Sequence, residues 1–214
     1  MKHIISQFPL DVAQEQAFRT STTKIVCGVN LIQGPPGTGK TRTAMVIILV
    51  LASLGLKVLL AAGSNKGVDN LAEALVKALE GDSQLQAWCG QACRFRTPAH
   101  QLNQLRSDST DECQLRQARR ARAAGNETLE RVQMHNLVRS YALANRATNP
   151  KCAKLWDLID ADKRRPLSRE DFKALRASYE DSVSSVLKGC RVVATRSTMH
   201  GKISFACLNS RLSS

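Results

Sequence analysis

Residues 31–41 read LIQGPPGTGKT, and Gly34-Pro35-Pro36-Gly37-Thr38-Gly39-Lys40-Thr41 within them satisfies G-x-x-x-x-G-K-[ST] in full. Nothing else in the chain constrains its fold as strongly. A backbone that wraps its N–H groups around an anion needs glycine where φ is positive or where a Cβ would block the approach. The helix launched from such a loop turns its positive N-terminus toward the same anion. The chemistry expected of that arrangement is a grip on a nucleoside triphosphate. Lys40 bridges the β- and γ-phosphates and the Thr41 hydroxyl helps hold Mg²⁺.

The flanks agree with the motif. VNLIQ (29–33) is a short apolar run ending in the glycine-rich turn, and it reads as a buried strand. Thr41 to Leu54 is long enough for a helix and apolar on nearly every face, with Gly55 as its left-handed stop. KVLLAAG (57–63) reads as a second buried strand. From Asp69 the residues Leu71, Ala74, Leu75, Ala78 and Leu79 follow helical spacing until Gly81. Strand, loop, helix, strand, helix is an α/β parallel-sheet order.

The character then changes. Residues 82–102 read as polar and irregular, and the chain beyond them as helical and basic. STDE (109–112) predicts a capping box and a helix to Gly125, and a second helix fits 127–146, closed by Asn149-Pro150. In LSREDF (167–172), Ser168 and Asp171 form another box, with Leu167 and Phe172 placed for a hydrophobic staple. LWDLIDAD (155–162) has the period of an amphipathic helix, not of a metal-holding strand. Strand character returns at CRVVAT (190–195). An α/β core of residues 1–89, a basic helical insertion over 90–188 and a return to the core at 189–214 are therefore expected.

Charge obeys that division. The 214 residues carry a net charge of +13. Residues 94–196 hold 21 basic and 12 acidic side chains, against 8 and 6 in residues 1–93. The surplus points to a polyanionic partner, nucleic acid before membrane, with a merely basic surface as the bland alternative. Arg116, Arg119 and Arg120 share a helix face, joined by Arg122, Arg131 and Arg139, and phosphate contact and a solvated face are both open there. Aromatics make up only 4% of the chain, so base stacking is not expected, and Trp88 and Trp156 read as core. The seven cysteines are irregularly spaced without a signal peptide, which predicts reduced thiols and a nuclear or cytoplasmic, not secreted, protein. Cys89, Cys93 and His100 lack a fourth ligand and read as buried thiols, not a zinc site. AMVIILVLA (44–52) is too short to span a bilayer.

LIQGPPGTGKT and the segment LLAAGSNKGVDNLAEAL (59–75) together resemble superfamily 1B helicases of the senataxin and nonsense-mediated-decay type. The second segment is similar to their motif Ia. LDVAQEQAF (10–18) resembles their Q motif and aligns Gln14 with the adenine-reading glutamine. RVVATRSTMHG (191–201) resembles a strand and loop that carry a nucleic-acid-contacting threonine, here Thr195. Asp11 stands where the family usually has Asn, and Gly63 where it has Pro. The resemblance implies a partial RecA-like P-loop NTPase core with a helical insertion, ATP and Mg²⁺ as cofactors, and single-stranded RNA or DNA as partner. Its nucleotide-binding set is Gln14, Gly34, Pro35, Pro36, Gly37, Thr38, Gly39, Lys40, Thr41 and Arg42, with Lys40 also countering transition-state charge and Thr41 facing Mg²⁺. Its nucleic-acid set is Ser64, Asn65 and Thr195. Ser64 and Asn65 come just after the C-terminal end of a parallel strand, where such sheets place binding groups, and helix capping by Ser64 is compatible with that role.

After Asp181 the chain has no acidic residue. The family's Asp-Glu pair and second RecA-like domain are thus not met, and hydrolysis by this chain alone is not expected. A fragment, a truncated product, a degenerate paralogue and a partner chain supplying the missing parts all stay open. A small self-contained nucleotide kinase and a basic nucleic-acid-binding module with a relic loop are the other readings.

Overall fold

The helix Lys40–Ser53, α3, organises the computed structural model, which describes residues 2–23, 28–107 and 127–196. Two short helices, α1 (Lys2–Gln7) and α2 (Val12–Thr23), precede it. α3 spans Lys40–Ser53 and starts at Gly39, whose φ of 71° is left-handed. Met45 through Val50 and Ala52 are all buried, as an all-apolar helix requires. Leu54 and Gly55 close it, with the Gly55 N–H donating to the Ala52 carbonyl at 2.9 Å and a φ of +84° at Gly55. The covering elements are α1, α2, β1 (Val58–Ala62), α4 (Asn65–Glu80) and α5 (Ser83–Cys89). α4 buries Val68, Leu71, Ala72, Leu75, Val76 and Leu79, the stripe expected from its period. His3 Nε2 lies 2.5 Å from Asp82 Oδ2, tying α1 to the cap of α5.

The chain forms two compact units. One holds residues up to Ala92 and resumes at Arg191, and the other holds Cys93–Cys190. β2 (Gln91–Phe95) and β3 (Cys190–Arg196) carry the two crossings, and the sheet order is β1-β3-β2. β1 and β3 are parallel, in register from Val58↔Val192 to Ala62↔Arg196.

In the second unit α6 (Pro98–Ser107), α7 (Glu127–Glu130), α8 (Met134–Ala144), α9 (Pro150–Arg164) and α10 (Arg169–Gly189) surround Leu105, Met134, Val138, Leu155, Ile159, Leu175 and Tyr179. LWDLIDAD lies in α9, a helix as its period predicts. Asn149 caps α9 with Pro150 in its first turn, so Asn149-Pro150 opens a helix and does not close one: α8 already ends at Ala144, with Asn145 as its C-cap. Arg106 grips Asp162 through Nε at 2.6 Å and Nη2 at 3.0 Å, and its guanidinium stands over the Phe172 ring at 5.3 Å. Ser168 Oγ accepts from the Asp171 N–H at 3.1 Å, as the box predicts. Ser168→Ala is therefore expected to remove about 1 kcal/mol in equilibrium urea unfolding. A change below the error of that measurement would mean the cap is not made in solution.

Three expectations are corrected. VNLIQ is not a strand: Val29, Leu31 and Ile32 are 63%, 89% and 37% exposed, and no ladder pairs them. Apolar content marks a strand only where a neighbour supplies hydrogen bonds, and β1 takes β3 as its neighbour instead. Residues 82–102 are not irregular but form α5, β2 and the start of α6. Asp82 starts α5 by accepting from the N–H groups of Gln84 and Leu85, and β2 is disguised by Arg94, which is fully buried and donates to the Phe95 carbonyl at 2.7 Å. The helix over 127–146 is broken between α7 and α8, where the Arg94 N–H donates to the Val132 carbonyl at 2.7 Å. The helix expected over 109–125, with Arg116, Arg119, Arg120 and Arg122, lies outside the described residues. Among the described residues no helix is long and apolar enough to cross a membrane.

Candidate nucleotide and nucleic-acid site

A short turn carries α3 into β1, so the start of α3 and the end of β1 lie at one end of the first unit. α4 begins at that end with Asn65, and the parallel register brings Arg196 beside Ala62. The phosphate loop, Ser64-Asn65 and the end of β3 therefore share the C-terminal edge of the strands, where open α/β sheets bind ligands.

The loop winds through Gly37 at φ +81° and Gly39 at φ +71°. Lys40 Nζ turns back into it and donates to the Gly34 carbonyl at 2.7 Å and to the Pro35 carbonyl. Thr38 Oγ1 donates to the Pro35 carbonyl at 3.0 Å. A Cβ on Gly34 would meet Thr38 Oγ1 at 3.3 Å, and one on Gly39 would collide with Gln14 Nε2. No side chain caps α3 at Gly39. Thr41 and Arg42 are exposed in that first turn, while Thr43 is buried with its hydroxyl on the Gly39 carbonyl at 3.3 Å. Helix terminus, paired ammonium and glycine cradle fit a polyphosphate.

Gln14 stands against this loop. Its Nε2 donates to the Thr38 carbonyl at 3.3 Å, and its Oε1 accepts from the Asp11 N–H at 3.2 Å. The Gln14 N–H in turn donates to Asp11 Oδ1 at 2.8 Å, which completes a capping box on α2. The spacing Asp-x-x-Gln carries that signal, which sequence reasoning missed.

Ser64 caps α4, accepting from the Gly67 N–H at 3.0 Å, and Ser64 and Asn65 are exposed. Thr195 is buried at 6% exposure one residue inside the end of β3, and Arg196 beyond it is exposed. Arg196 adds to this edge a cation that sequence reasoning also missed.

The remaining candidates lie elsewhere. Cys89 is buried with its thiol on the Leu49 carbonyl, and burial pushes its pKa up. Cys93 and Cys190 are buried neighbours whose thiol–thiol hydrogen bond, together with burial, raises the Cys93 pKa. No group of three metal-ligating side chains occurs among the described residues. Trp156 is core, with Arg139 5.9 Å from its ring, but Trp88 is 36% exposed with His3 edge-on at 5.8 Å.

The AAA domain family matches residues 9–210 of the chain. Over 83 residues the chain is 42% identical to the DNA-binding protein SMUBP-2 of Rattus norvegicus, a match covering 39% of this chain and 7% of that protein. Over 48 residues it is 52% identical to a regulator of nonsense transcripts 1 homolog of Arabidopsis thaliana, covering 22% and 4%. Over 66 residues it is 39% identical to the DNA polymerase alpha-associated DNA helicase A of Schizosaccharomyces pombe, covering 31% and 10%. The chain thus matches a tenth or less of the length of each of these relatives.

Proposed function

Because the chain belongs to the AAA domain family, as an ATP-binding segment of a superfamily 1B helicase, we propose that residues 34–41 hold Mg·ATP and the adjoining edge holds single-stranded nucleic acid. The observation that carries this reading is the loop itself: two left-handed glycines, an uncapped helix start and Lys40 folded into the loop. Lys40 would hold the β- and γ-phosphates and Thr41 the metal, while Arg42 in the same turn would add positive charge. Bound Mg·ATP supplies the phosphoryl transfer that a whole helicase couples to movement along a strand.

Ser64, Asn65 and the end of β3 near Thr195 lie on the same edge as the loop. Short hydroxyl and amide groups there hold a sugar-phosphate backbone without reading bases, which suits RNA and DNA alike. The work of such an enzyme is nuclear or cytoplasmic.

Calorimetric titration of the purified chain with Mg·ATP tests the reading. Losing a charged hydrogen-bond donor costs about 1.5–3 kcal/mol, so Lys40→Ala is expected to weaken binding by about 10- to 150-fold. Equal affinity in wild type and Lys40→Ala would sink the proposal and favour a basic nucleic-acid-binding module.

A further inference from the structure

The carboxamide of Gln14 touches the phosphate loop at the Thr38 carbonyl. A peptide unit is planar and trans, so its C=O and N–H point in opposite directions. Anchoring the Thr38 carbonyl to Gln14 Nε2 therefore fixes the direction of the Gly39 N–H, which leaves the same peptide on the side away from Gln14. Gly39 is the left-handed residue from which α3 starts, and its missing Cβ is what lets the Gln14 amide lie there. Gln14 is itself held at both ends of its box, by the Asp11 N–H on Oε1 and by Asp11 Oδ1 on its own N–H. The hydrogen bonds then continue inward, from Thr38 Oγ1 to the Pro35 carbonyl that Lys40 also engages.

We infer that Asp11 and Gln14 form a latch that sets the 38–39 peptide of the phosphate loop, so that Gln14 governs affinity for the polyphosphate whatever base is attached. This rests on the proposed nucleotide role of the loop and adds a duty for Gln14 separate from any contact with adenine. Asp11 is a positioning residue in it, acting through Gln14. Thr38, whose carbonyl and hydroxyl are both engaged, joins the latch to the Lys40 side of the loop.

The test measures binding of ATP, GTP and inorganic tripolyphosphate, each with Mg²⁺, to the full chain and its variants. Gln14→Met keeps the length of the side chain and removes both amide contacts. It is expected to weaken GTP and tripolyphosphate by one common factor of about five, the worth of a neutral hydrogen bond, and ATP by at least that factor. Asp11→Ala is expected to weaken all three together by a smaller factor, and Asp11→Asn, which still caps, to restore them. Loss of helix capping alone would lower the unfolding midpoint without moving these affinities in the folded chain. Where Gln14→Met does not fold, Gln14→Asn, one methylene too short to reach Thr38, gives the same readout. Weakening of ATP alone, with GTP and tripolyphosphate unchanged, would make Gln14 a base reader and overturn the latch. Equal affinities in wild type and Gln14→Met would overturn it too. A wild-type chain that binds none of the three would overturn the proposed function itself.

Discussion

Lowering the pH from 6.5 to 4 is expected to remove about 3 kcal/mol from the stability of the unit that holds His135. His135 is 6% exposed at the start of α8, and its pKa is pushed down to about 4. Burial is the largest cause, because the imidazolium would lose its hydration, and the charges of His100, Arg96 and Arg139 add repulsion. The site of proton uptake decides the sign. Between pH 4 and 6.5 the unfolded chain protonates this histidine and the folded chain does not, so acid favours unfolding. The contribution is fully present above pH 6.5 and declines as the pH falls toward 4. A gap from 6.5 to about 4, at about 1.4 kcal/mol for each tenfold change in proton affinity, gives the stated magnitude. Asp82, whose carboxyl is held below the usual carboxylate range chiefly by its hydrogen bond to His3, belongs to the other unit. Urea unfolding of wild type and His135→Gln across this range checks the expectation. The two stability curves should converge as the pH falls, whereas parallel curves would mean that His135 is charged in the folded chain.

The elements legible in the sequence are those whose signals are local. α3 announces itself by composition, and Gly55 stops it through a backbone conformation that only glycine adopts freely. Ser168 starts α10 through a hydrogen bond three residues long. What the sequence hid depends on distant partners. The run 29–33 has the composition of a strand but no ladder neighbour. β2 is short and carries a fully buried arginine, and at the break after α7 the Val132 carbonyl is bonded to Arg94, which is far away in sequence. The site divides in the same way. The glycines, Lys40 and Thr41 are fixed by one contiguous motif, whereas the contact of Gln14 with Thr38 joins residues 24 apart. The pairing that sets Thr195 beside Ala61 joins β3 to β1, which no single segment encodes.

Leu49→Ala is the second large effect expected, a loss of about 2–5 kcal/mol in urea unfolding at neutral pH. Leu49 is fully buried in the middle of α3, between Val46 and Val50, and its carbonyl accepts the Cys89 thiol at 3.3 Å from α5. Truncation removes apolar contact and leaves a cavity in the core that close-packed neighbours fill only in part. The variant also separates anchoring from gripping. Leu49 lies about two and a half turns beyond Lys40, so the folded variant is expected to bind Mg·ATP within about twofold of wild type. Exposed residues 29–32 contribute little to holding α3, and its anchorage must come from the helices and strand packed around it. A loss below about 1 kcal/mol would show that this face of α3 is not enclosed, because enclosed leucines do not lose so little on truncation. A large loss with unchanged affinity would show instead that the core fixes the helix while the loop alone sets the grip.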